Sequence, residues 1–147
     1  MNNVELIITL TLIKGLGRKT INKIIRQGVL NSLETIETID YLNNINLKIK
    51  GIITKDELKY ANEVAKRTIE ICDREDIKIS TLLDEDFPQK LKNIDDNPVI
   101  IYSKGDYNNL NDKGVAIIGS RNPSLHGVNV SYKISSILSQ KNYTIVS

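Results

Sequence analysis

The chain of 147 residues has one cysteine, one histidine, one phenylalanine, three prolines and no tryptophan, so it is poor in the side chains that most site chemistry uses. Cys72 has no partner for an internal disulfide, and its place on a predicted helix makes it a packing residue rather than a reactive one. With His126 the only histidine and no second cysteine, no zinc ligand set can be assembled. Ser120 has only His126 in sequence proximity and no orienting carboxylate close by, so no catalytic residue and no enzymatic activity are predicted. No cofactor is called for. No stretch approaches about 18 consecutive apolar residues, and Asn2, Asn3 and Glu5 stand where a signal peptide carries basic residues. Neither a membrane span nor a secretory leader is predicted, and a reducing cytoplasm fits the cysteine usage.

What is present is ordinary in amount and uneven in placement. Apolar residues make up 40% and charged residues 26% of the chain, which bounds it to one or two globular domains with a real core. The net charge of +2 hides two basic stretches. No acid lies between Glu5 and Glu34, where Lys14, Arg18, Lys19, Lys23 and Arg26 fall. None follows Asp112, where Lys113, Arg121, Lys133 and Lys141 fall. Residues 84–112 between them carry seven acids against three lysines. Basic patches of this kind suit a polyanion such as nucleic acid, although charge runs are as often plain solvated faces.

The apolar spacing predicts a helix over 4–13, a tight turn at Lys14-Gly15-Leu16-Gly17, and a second helix over 18–27 closed by Gly28. A short helix over 32–41 follows, capped by Ser32. Thr54 and Glu57 have capping-box spacing and open the longest helix, with Leu58, Ala61, Ala65, Ile69 and Cys72 on one face. Residues 1–75 thus read as an all-α domain. Residues 76–147 read as a second domain, with strands over 77–82 and 99–102, a short turn or helix over 87–93, and a loop over 105–113. It ends in a βαβ unit. Val115, Ala116, Ile117 and Ile118 form a continuous apolar run, the pattern of a strand buried on both faces of a parallel sheet. Asn122-Pro123-Ser124 turns the chain, and a helix from Gly127 carries Val130, Ile134, Ile137 and Leu138. Tyr143 to Val146 is the second strand. Two parallel strands with one crossover helix leave edges and a face uncovered, so the sheet reads as truncated, the front part of a longer protein.

Two motifs carry chemistry. At Gly119-Ser120-Arg121, the turn at the carboxyl end of a parallel strand opens toward a helix N-terminus, the place where α/β sheets bind anions. The spacing is not that of a dinucleotide fingerprint, since Arg121 and Ser124 occupy the second and third glycine positions, so no NAD site is predicted. Arg121 instead offers a planar fork for a phosphodiester. In Leu12-Ile13-Lys14-Gly15-Leu16-Gly17-Arg18-Lys19, glycines flank an apolar plug between two helices. Backbone amides there, with Arg18 and Lys19 beside them, could hold a phosphate, in the manner of a helix-hairpin-helix. The same turn also serves as plain packing in small helical domains.

The ordered series Phe87-Pro88-Gln89-Lys90-Leu91, Ile94, Asp96, Pro98, Ile101-Tyr102, Lys104-Gly105, Val115 to Arg121 and Gly127 resembles the bacterial DNA-processing protein A family (DprA, also called Smf). Asn97 departs from it, standing where the family usually has a proline, as does His126, where a tyrosine is common. The resemblance implies a SAM-like helical domain followed by an extended Rossmann-like domain. It also implies single-stranded DNA binding with Gly119, Ser120 and Arg121 in the pocket, loading of the RecA recombinase during natural transformation, and a homodimer. Gly15, Gly17, Arg18 and Lys19 are secondary DNA-binding candidates. Two rival readings stand beside it. One is a nucleotide-processing enzyme of the lysine-decarboxylase-like Rossmann group, whose P-G-G-x-G-T motif and following glutamate do not appear in this sequence. The other is a helical protein-interaction module.

Overall fold

Asn2 starts the first helix by accepting the Glu5 N–H on its side chain, and α1 runs over Asn3–Leu12. Ile13 leaves helical geometry, and Gly15 adopts φ +88°, a left-handed value that side-chain-bearing residues rarely take. The chain re-enters a helix at α2, Arg18–Arg26. In this computed structural model residues 2–27, 40 and 53–147 are described. The helix expected over 32–41 therefore lies outside the described residues apart from Asp40.

The expected capping box at Thr54 and Glu57 is present in both directions and opens α3, Lys55–Arg74. Leu58, Ala61, Ala65 and Cys72 face inward, while Ile69 is half-buried. Burial pushes the Cys72 thiol up from its ordinary value, which keeps it protonated and unreactive. After α3, Asp76 takes a left-handed φ of +54° and reverses the chain into β1, Ile77–Thr81. A short α4, Gln89–Lys92, follows. Then β2, Ile100–Lys104, pairs antiparallel with β1 in the register Ile79 opposite Tyr102.

Leu6, Ile7, Leu10, Ile13, Leu16, Ile21, Ile24, Ile53, Leu58 and Val99 form one buried cluster, with Leu82 and Ile100 packed against it. Val99 and Ile100 thereby tie the strand pair to the helices. For that reason the chain divides into compact units at Met1–Gly105 and Asp106–Ser147, whereas the sequence placed its boundary at 75/76.

The second unit contains a 3₁₀ turn over Tyr107–Leu110, inside the segment expected to be loop. Then come β3, Gly114–Ala116, α5, Leu125–Ser139, and β4, Thr144–Val146, with β3 and β4 parallel. The βαβ order matches the expectation, but three details differ. The strand expected over 115–118 ends at Ala116, with one further bond from the Ile117 N–H to the Val146 carbonyl. A ladder extends only as far as its partner, and β4 is three residues long. Nor is the strand buried: Gly114 and Ala116 are exposed and Val115 half-buried, and Ile118 beyond its end is 89% exposed. Finally, α5 starts two residues earlier than expected, because Ser124 caps it by accepting the Gly127 N–H at 3.1 Å.

The least exposed positions of α5 are Leu138 and Gly127, Ser131 and Ser135, the last three a small-residue stripe at four-residue spacing. Of the apolar stripe read from the sequence only Leu138 is shielded; Val130, Ile134 and Ile137 are exposed. Among the described residues the architecture is therefore mixed helix and sheet, with one antiparallel and one parallel strand pair. No helix among them is long and apolar enough to cross a membrane.

Candidate nucleic-acid interface

Beyond Ala116 the chain leaves the sheet and turns back through Gly119, Ser120, Arg121 and Pro123 before Ser124 nucleates α5. The turn and the first turn of the helix enclose a concave site of about 600 Å³. Ile118, Gly119, Ser120, Ser124, His126 and Gly127 are among its lining residues. The site has an electrostatic direction. Ser124 satisfies one first-turn amide of α5, and the remaining N–H groups of a 15-residue helix present the positive end of its dipole there. No acidic side chain lines the concavity. Residues 106–147 carry Lys113, Arg121, Lys133 and Lys141 against Asp106 and Asp112 only.

Arg121 is exposed and makes no hydrogen bond or ion pair with any described residue. A loop-capping arginine would spend its fork on nearby carbonyls. This one leaves its donors to solvent, which suits an incoming phosphate. Gly119 and Ser120 line the concavity, and Arg121 stands in the same turn. His126 lies in the first turn of α5, one residue from Gly127. Among the described residues no group of three or more His, Cys, Asp or Glu side chains could hold a metal ion.

The α1–α2 turn is the second location singled out by the sequence. Leu16 is buried in the core, as its role of apolar plug requires. Gly17 is the N-cap of α2 with no side-chain cap bond, and a Cβ there would meet nothing within 4 Å. Packing among the described residues does not account for that glycine.

Arg18 is committed elsewhere. Its Nε donates to Asp96 Oδ1 at 3.0 Å and a terminal nitrogen donates to Asp96 Oδ2, a bidentate clamp across the fold. Lys19 stays exposed beside it. Next to the clamp, Asn22 Nδ2 donates to the Asn97 carbonyl at 2.9 Å, joining residues 75 positions apart. That junction was not visible in the sequence, where only the basic residues around Asn22 gave a signal.

The hydrogen bonds and charge of Arg18 hold the Asp96 carboxyl below the usual carboxylate range. A depressed value in the folded state means that the pair contributes stability above the range where an unfolded aspartate titrates. That contribution is lost as the pH falls through the depressed value. In a ¹³C-detected titration Asp96 is expected to show a midpoint below that of an unpaired aspartate, and Arg18→Ala is expected to move it upward. An unshifted midpoint in the unsubstituted protein would show that the clamp does not persist in solution.

Comparison with known proteins bears on the same stretch of chain. A family model described as DNA recombination-mediator protein A matches residues 78–147. The DNA processing protein DprA of Bacillus subtilis (strain 168) is 27% identical over 101 residues, covering 68% of this chain. The match spans 34% of that relative's own length.

Proposed function

Because residues 78–147 match the DNA recombination-mediator protein A family model, we propose that this chain processes DNA by binding single strands at the β3–α5 turn. The observation that carries the reading is an acid-free concavity at a helix N-terminus, with Arg121, which has no partner among the described residues, in the turn that forms it. Gly119 lets a backbone approach closely, Ser120 supplies a hydroxyl, and Arg121 supplies a fork matched to a phosphate. These groups bind and orient; none is placed to make or break a bond, so the role proposed is not enzymatic.

The further steps follow the family resemblance. We take the helices of residues 1–75 as a SAM-like domain and the βαβ unit as the start of a Rossmann-like sheet. The strand held at Gly119–Arg121 would be handed to a RecA-type recombinase by a homodimer acting in the cytoplasm. The exposed apolar residues Val130, Ile134 and Ile137 favour burial of α5 against further protein in that assembly.

Few phosphate contacts are available in the second unit, so the expected affinity is modest. Fluorescence anisotropy with this chain should give a Kd of about 10⁻⁴ M at physiological salt, in the range of non-specific binding. It should tighten as salt is lowered, with a slope of about 0.7 per phosphate neutralised on a single strand. Binding that ignores salt, or no binding at low salt, would overturn the reading and favour a protein-interaction module.

A further inference from the structure

Lys19, Lys23 and Arg26 lie at i, i+4 and i+7 on the exposed face of α2, and none forms an ion pair among the described residues. Beside them α2 and residues 95–97 enclose a second concave site, about 390 Å³, lined by these three cations with Asn22, Asp95 and Asn97. Its volume is within the range of small-ligand sites. The floor is unusual. Asn97 is 1% exposed, yet among the described residues neither its Nδ2 nor its Oδ1 has a hydrogen-bond partner, and Asn22 Oδ1 is buried and unpaired there as well. Buried polar groups are almost always satisfied, and an unpaired carboxamide at the bottom of a cleft favours a ligand that brings its own donors and acceptors.

The lining sorts that ligand by chemistry. Three cations on one side call for a phosphate. Carboxamides at the floor match the adjacent donor and acceptor of a nucleobase edge, and a carboxylate accepts from an exocyclic amine. We infer that this pocket takes one unpaired nucleotide, its phosphate on Lys19, Lys23 and Arg26 and its amine-bearing base on Asn22, Asn97 and Asp95. The inference rests on the proposed single-strand binding and adds to it a base-reading contact in the first unit. Asp95 is exposed and forms no ion pair among the described residues, so its carboxylate remains available to the amine. Thymine has no exocyclic amine, which gives the pocket a preference that phosphate contacts alone lack.

The test uses this chain with oligo-dA, oligo-dT and dAMP, followed by anisotropy and by amide chemical shifts. Oligo-dA should bind about fivefold more tightly than oligo-dT and shift the amides of residues 19–27 and 95–97. Asp95→Ala should abolish the preference. Lys23→Ala with Arg26→Ala should weaken both oligonucleotides and reduce the salt slope by about 0.7, one phosphate contact's worth. All these positions are exposed, so the fold should tolerate the changes.

If dAMP binds as tightly as oligo-dA, the site belongs to a free nucleotide and its assignment to a strand is overturned. Equal binding of both oligonucleotides without shifts in these amides overturns the pocket outright. Arg121→Ala separates this inference from the proposed function. If it weakens oligonucleotides while the α2 variants do nothing, only the pocket falls. If the α2 variants matter and Arg121→Ala does not, the β3–α5 reading falls instead.

Discussion

Leu16→Asp is expected to destabilise the first unit by about 3 kcal/mol or more, the cost of an unpaired charge in a packed core. Leu16 is 6% exposed and belongs to the cluster that includes Leu10, Ile13, Ile21 and Ile24. Gly15 and the bond from the Leu16 N–H to the Ile13 carbonyl at 3.2 Å fix the backbone there, so the side chain cannot swing out without unmaking the turn. For a unit of this size each kcal/mol corresponds to about 4–8 °C, so the helical melting transition should fall by about 12 °C or more. Leu16→Met conserves volume and polarity and should cost less than about 1.5 kcal/mol. A melting temperature that does not move in the aspartate variant would show that Leu16 is not a core residue in solution.

The same turn shows how far the sequence could be read. Local signals carried the elements that are fixed by local chemistry. The Thr54–Glu57 box placed the start of α3, glycine at 15 marked the left-handed turn, and the inward face of α3 followed from helical spacing. The β–α–β order of the second unit and its Gly-Ser-Arg turn were legible for the same reason. Contacts between distant residues were not. Nothing in the neighbourhood of Arg18 says that its fork meets Asp96, and nothing near Asn22 says that it reaches Asn97. Those pairs also explain why the compact unit extends to Gly105: Val99 and residues 95–97 are held against the helices by packing and bonds that span most of the chain. In α5 the spacing was read correctly and the face was not. Apolar residues lie on more than one side of that helix, and the small stripe of Gly127, Ser131 and Ser135 is the less exposed one.

Arg121→Ala is expected to weaken single-strand binding about tenfold, equivalent to about 1.4 kcal/mol. The guanidinium is exposed and without a partner among the described residues, so its removal takes away an intermolecular contact and little else. Arg121→Lys keeps the charge but loses the bidentate geometry, and its affinity should fall between the two. Because a phosphate carries no base information, the loss should be the same factor for oligo-dA and oligo-dT. That uniformity distinguishes the β3–α5 turn from the base-reading side of the α2 pocket, where Asp95→Ala is expected to change the ratio between them. Thermal melts run alongside should be unchanged, since no described hydrogen bond or ion pair is broken. If the alanine variant instead melts many degrees lower while its folded fraction binds normally, Arg121 holds the turn together. The phosphate contact must then be sought at the N-terminal amides of α5 or on α2.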